Sequence, residues 1–128
     1  MGRGPLNPAL PDGAEYLASS SGNVANASAV ATLTPRATKT AFISQLIVTA
    51  AGATAALAVN VTVTGLVGGT QTFTFVYPAG ATIAATPLVV SFPIPLKAAT
   101  PDTNIVVTLP ASGLGGTNAA VSASGYSS

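Results

Sequence analysis

The sequence predicts an all-β fold, an antiparallel β-sandwich or barrel of seven to eight strands, on three observations. Apolar and polar residues alternate with period two through most of the chain beyond residue 22, the pattern of strands with one buried face. Gly, Pro and Asn turn residues recur at intervals of roughly 10–15 residues, as in sandwiches and barrels. No segment shows a convincing helical stripe. At 128 residues and 12.4 kDa the chain is long enough for a single core.

Residues 1–22 read as an extended arm and linker. Pro5, Pro8 and Pro11 interrupt any regular structure, and Ser19-Ser20-Ser21-Gly22 has linker composition. Such an arm is expected to lie on a neighbouring subunit. Residues 23–128 then form the body. Asn23 to Thr34 is Ala-rich, with polar residues at most alternate positions. Thr40 to Ala50 carries Phe42, Ile43, Leu46, Ile47 and Val48 on both faces, which suits a strand buried between a sheet and something else. Helical spacing can be drawn through Phe42, Leu46 and Ala50, but the β-branched Ile43, Ile47, Val48 and Thr49 favour a strand.

The clearest hairpin follows. Leu57, Val59, Val61 and Val63 alternate with polar or small residues. After Gly68-Gly69, the residues Phe73, Phe75 and Tyr77 alternate with Thr72, Thr74 and Val76. Ala81 to Ala85 supplies a possible eighth strand. Leu88, Val90, Phe92, Ile94 and Leu96 make one face of the next strand, and Pro93 and Pro95 lie on the other. Prolines cannot donate to a ladder, so the end of this strand is expected to lie on a sheet edge or to leave the sheet. Ile105, Val107 and Leu109 form another inward set, and Thr117 to Tyr126 a final strand.

Composition removes most chemistry. There are seven charged residues, 5% of the chain, giving a net charge of +1, against about 25% in ordinary soluble domains. Without His or Cys there is no base for a Ser-His triad and no thiolate site. Asp12 and Glu15 fall in the arm, and Asp102 reads as a loop cap, so no acid pair faces a cleft. The chain is therefore expected to be a non-enzyme, with no catalytic residues, no metal and no cofactor. Arg3, Arg36, Lys39 and Lys97 are too few and too scattered for nucleic-acid binding. No formal charge occurs between Lys39 and Lys97, yet period-two alternation argues against a membrane helix there, and no membrane partner is expected. The first residues have no apolar run of the kind that begins an export signal. Asn26-Ala27-Ser28 and Asn60-Val61-Thr62 match the glycosylation sequon, read here as chance matches.

A chain this neutral has little charge repulsion to keep it dispersed. It suits an assembly that covers its apolar surface. Segments such as NVANASAVATLTP (residues 23–35) and TNAAVSASGYSS (residues 117–128), with the Pro/Gly arm and the Ala/Thr/Val/Gly body, resemble small virion proteins of tailed bacteriophages, in particular capsid decoration, or cement, proteins. The resemblance implies a jelly-roll-like sandwich, often a homotrimer, bound to the major capsid protein where capsomers meet. Its location would be the capsid surface of a virion assembled in the host cytoplasm.

In that role the arm is expected to carry partner contacts through Arg3, Pro5, Leu6, Leu10, Tyr16 and Leu17. The alternative is a phage tail or head-fibre adhesin domain binding host-surface glycan, for which an exposed Tyr16, Tyr77 or Tyr126 in a polar groove would serve. A pilus-like bacterial surface subunit is a third reading and would require export.

Overall fold

The computed structural model describes residues 13–80, 86–111 and 118–128. Within them the chain forms eight strands and no helix: β1 (Glu15–Ser20), β2 (Ala29–Leu33), β3 (Ala41–Ala51), β4 (Leu57–Thr64), β5 (Gln71–Tyr77), β6 (Leu88–Lys97), β7 (Ile105–Leu109) and β8 (Asn118–Ser127). They make two antiparallel four-stranded sheets packed together as a β-sandwich. Sheet A has the order β1-β8-β3-β6 and sheet B the order β2-β7-β4-β5.

One rule generates both sheets. β1 pairs with β8, β2 with β7, β3 with β6 and β4 with β5. The chain is thus one long antiparallel ribbon, four strands out and four back, with the β4–β5 hairpin at its tip. Rolling the ribbon brings β3 against β8 and β4 against β7, which completes each sheet.

Period-two alternation aims one set of side chains from each sheet into the space between them. Sheet A contributes Ile43, Leu46, Val48 and Val121, and sheet B contributes Leu33, Val61, Val63, Ile105, Val107 and Leu109, all buried. Phe75 and Tyr77 meet edge to face at 5.4 Å. Phe73 and Phe92 lie 6.4 Å apart and join the β5 edge of sheet B to the β6 edge of sheet A. Ala29 and Ala31 are fully buried in β2.

The β4–β5 hairpin matches the sequence pattern, from Leu57 opposite Tyr77 to Val63 opposite Gln71. β6 lies on an edge, one of the two placements its prolines allow. Two details differ from the pattern. Ile94 does not face inward with Phe92 and Leu96; it is 84% exposed. Ser91 pairs with Gln45 and Leu96 with Ile43, so residues 92–95 lie opposite Ser44 alone. Two prolines in that stretch remove the N–H groups that would hold it to β3, and the strand buckles outward.

The second difference is the start of the body. Glu15–Ser20 is not arm but β1, an edge strand paired with β8 along its whole length. Ser19-Ser20-Ser21-Gly22 is no free linker either. Ser19 Oγ accepts the Thr32 N–H at 3.1 Å, tying the edge of sheet A to that of sheet B. Ser21 Oγ accepts the Val121 N–H at 2.9 Å, and the Ser21 N–H donates to the Val121 carbonyl. The eighth strand is therefore β1, while Ala81 to Ala85 lies outside the described residues.

Two residues offer tests of this packing. Gly125 lies where β3 shifts register at Ser44, and a Cβ there would run into the Phe42 carbonyl. Gly125→Ala should destabilise the fold by about 3 kcal/mol or more, read by denaturant unfolding; a change below about 1 kcal/mol would contradict the close approach.

Tyr77 is buried, and its hydroxyl donates to the Pro110 carbonyl at 2.9 Å. Burial raises its pKa above the ordinary value of 10.0. The native state therefore holds the phenol proton more tightly than the unfolded chain does. This contribution is complete below pH 10 and is lost as pH rises through the raised native value. Tyr77→Phe should cost about 1–3 kcal/mol at neutral pH and remove that part of the alkaline loss. An alkaline profile identical in wild type and Tyr77→Phe would refute it.

Candidate interaction surface

Charge is segregated along the sandwich. The β2–β3 connection carries Arg36 and Lys39, the β6–β7 connection carries Asp102, and Glu15 and Lys97 stand at the adjoining strand ends. These connections meet at one pole. The Asp102 N–H donates to the Lys39 carbonyl, the Thr38 N–H donates to Asp102 Oδ1 at 2.7 Å, and Arg36 Nε lies 3.5 Å from Glu15 Oε2. Asp102 and Thr38 both have positive φ, 64° and 68°, and the hydrogen bond between them braces the turn. Asp102 thus has the loop-capping role its sequence position suggests.

The described residues of the opposite pole carry no charge. They are residues 21–28, 52–56, 78–80, 86–87 and 110–111 of the connections there, with no Asp, Glu, Lys or Arg among them. Apart from Lys97 at the end of β6, which closes the sheet A row nearest the charged pole, the described outward faces of the sheets carry no charge between the strand ends. Sheet B presents cross-strand rows such as Val30, Thr108, Thr62 and Thr72, followed by Thr32, Val106 and Thr64. Val30 and Val76 are exposed on this face. At the uncharged pole, Val76, Pro78 and Pro87 border a hollow of about 430 Å³.

Sheet A presents a shaped face. Its registers place Tyr16, Tyr126, Phe42 and Lys97 in one row across the four strands. Ala18, Ser124, Gln45 and Ser91 form the next, and Ser20, Ser122, Ile47 and Val89 the third. Small serines on β8 sit between larger side chains on β1 and β3. The result is a trough of about 380 Å³, floored by Ser122 and Ser124 and walled by Tyr16, Gln45 and Ile47. Its lining carries no charge.

Of the residues expected to contact a partner, Tyr16 and Leu17 are described. They are chain neighbours on β1 and so point to opposite faces. Tyr16 projects into solvent, 59% exposed, while Leu17 packs against the core. Arg3, Pro5, Leu6 and Leu10 lie outside the described residues. Among the three tyrosines only Tyr16 is open. Tyr77 is in the core, and Tyr126 is buried and stacked on Phe42 with ring centroids 4.7 Å apart.

Sequence reading missed Gln45, Ile47, Ser122 and Ser124 as surface-site residues. The alternation within VSAS assigns Ser122 and Ser124 to one face, but only the pairing of β8 with both β1 and β3 sets them beside Tyr16 and Gln45. No three His, Cys, Asp or Glu side chains among the described residues are grouped to hold a metal ion, and no described helix is long and apolar enough to cross a membrane. Compared with protein-family models, curated proteins and solved structures, the chain matches none of them.

Proposed function

We propose that this chain is a structural virion protein that decorates and stabilises a bacteriophage capsid by binding the major capsid protein at capsomer junctions. It would act as a homo-oligomer, a trimer in the first instance, without catalysis or cofactor. The observation that carries the reading is the segregation of charge. Every described charge stands at or beside one pole, and among the described residues the other pole and the sheet faces beyond the Lys97 row carry none.

A surface of that kind is cheap to dehydrate. Burying apolar area contributes roughly 25 cal/mol per Å² before association costs are subtracted. Few ionised groups need be stripped of water at the joint. The ribbon pairing of β1 with β8, β2 with β7, β3 with β6 and β4 with β5 is also what a jelly roll produces, an architecture shared by many capsid domains and lectins. That architecture supports the virion reading by analogy only.

A second reading, a tail or head-fibre adhesin domain for host glycan, is favoured by the trough with its exposed Tyr16 beside the Gln45 amide and serine hydroxyls. Neutral oligosaccharide titrated into the isolated chain, with saturable shifts of the Tyr16 ring resonances, would move the assignment to it.

Under the decoration reading the segment before β1 adds contact area on the particle. The informative deletion ends at Asp12, because removal through Gly22 would strip β1 from sheet A. Loss of residues 1–12 should reduce occupancy on the particle at least tenfold while far-ultraviolet circular dichroism of the body stays unchanged. Full occupancy by the truncated chain would defeat this role for the arm.

A further inference from the structure

We propose that the open edge of β5 is a self-association site, where Gln71–Tyr77 of two copies pair antiparallel across a twofold axis at Thr74. An isologous joint of this kind links copies two by two. It is separate from any threefold contact of the decoration role, and it stands whether or not the chain is a virion protein.

β5 is the outermost strand of sheet B. Its inner side is fully engaged with β4, from Leu57 opposite Tyr77 to Val63 opposite Gln71, without a register shift. Its outer side therefore presents a regular row of backbone N–H and C=O groups about 23 Å long. The strand contains no Pro, Gly or charged residue, and all of it except Gln71 is β-branched or aromatic. Short uncharged segments of this composition readily add to one another as strands. The other three edges carry features that discourage such pairing. β6 is interrupted by Pro93 and Pro95 and ends at Lys97. β1 begins with Glu15, and its Ser19 Oγ takes up the Thr32 N–H of the five-residue β2. β5 has none of these features.

The occupant is a second copy because the strand is complementary to itself. With the axis at Thr74, Phe73 stands opposite the partner's Phe75, Thr72 opposite the partner's Val76, and Gln71 opposite the partner's Tyr77. Aromatic pairs, Thr–Thr pairs and pairs with a β-branched residue are favourable cross-strand combinations. Opposed positions have the same parity, so every side chain stays on its own face. The outward rows of sheet B then run on across the joint. Val30, Thr108, Thr62 and Thr72 continue into the partner's Val76 and Ala58. Val76, 55% exposed in the single copy, gains a neighbour there. At the centre, Thr74 Oγ1 donates to Asn60 Oδ1 at 3.5 Å, and the same pair recurs beyond the axis. No charges meet, and a net charge of +1 per copy adds little repulsion.

The size of the joint fits a reversible dimer. An edge about 23 Å long and, with the side-chain layers of both sheets, roughly 20 Å deep buries on the order of 450 Å² per copy. That is about half of a standard interface, so the dissociation constant should lie between about 1 and 100 μM. Sedimentation equilibrium of the full-length chain should show dimers forming in that range. A chain that remains monomeric to about 1 mM would overturn the proposal.

Thr74 is exposed, so charge can be placed on the axis without touching the core. Thr74→Lys and Thr74→Glu, each with unchanged circular dichroism, should each weaken dimerisation about fivefold or more, because like charges then face each other. Mixed in equal amounts, the two variants should pair with one another and return to within about threefold of the wild-type affinity. Dimers or larger assemblies that persist unchanged in both variants, or a mixture that fails to recover, would overturn the proposal. The chain has no cysteine, so Thr74→Cys gives an independent readout. Under mild oxidation it should form covalent dimers at least tenfold faster than Val30→Cys on the opposite edge of sheet B. Equal rates would also overturn it.

Discussion

Sheet A depends on a strand that arrives last. β8 contributes the final ten strand residues, Asn118–Ser127, and lies between β1 and β3 in the sheet, paired with both. Without it, β1 has no ladder partner and the outward face of β3 has no trough. The fit of β8 is demanding at one place, where Gly125 passes the Phe42 carbonyl beside the register shift at Ser44. Ser44 Oγ donates to the Ser124 carbonyl at 3.2 Å and helps hold that irregularity. Pairing the first strand with the last makes contacts of long sequence separation, and folding should be correspondingly slow.

The same closure sorts the surface. Because the ribbon is rolled, alternate connections gather at opposite poles, and the charged residues of the described chain fall in or beside connections of one pole only. At that pole the Arg36–Glu15 pair is exposed on both sides, so it adds little stability and much solvation. The rest of the surface is threonine, alanine, serine and valine on flat strands. Its open edges and exposed Val89, Val76 and Ile94 would invite association if left bare. A charged pole with largely neutral flanks suits the proposed role, in which neighbours cover the flanks and the charged end meets water.

Much of the fold was legible in sequence because period-two alternation and proline chemistry act locally. The β4–β5 hairpin, the disruption of β6 by its prolines and the inward set of β7 follow from residues within one strand or one turn. What was illegible depends on partners distant in sequence. β1 has only one clear inward apolar residue, Leu17, and is a strand because β8 supplies its hydrogen bonds. The serine run after it looks like a linker until Thr32 and Val121 are found to use Ser19 and Ser21. Ile94 has inward parity along its strand but is turned out by a buckle visible only against β3. The trough combines residues from positions 16–20, 45–47 and 122–124, and no local pattern could have brought them together.

The central claim is that the neutral surface is the covered one. Under the proposed decoration role, electron cryomicroscopy of capsids incubated with this chain tests it most directly, by showing which way a bound subunit points. The pole formed by residues 36–39 and 97–102 should face solvent, with the neutral pole and at least one sheet face against neighbouring chains. A subunit seated on its charged pole, with the neutral pole and both sheet faces open to bulk water, would contradict the claim.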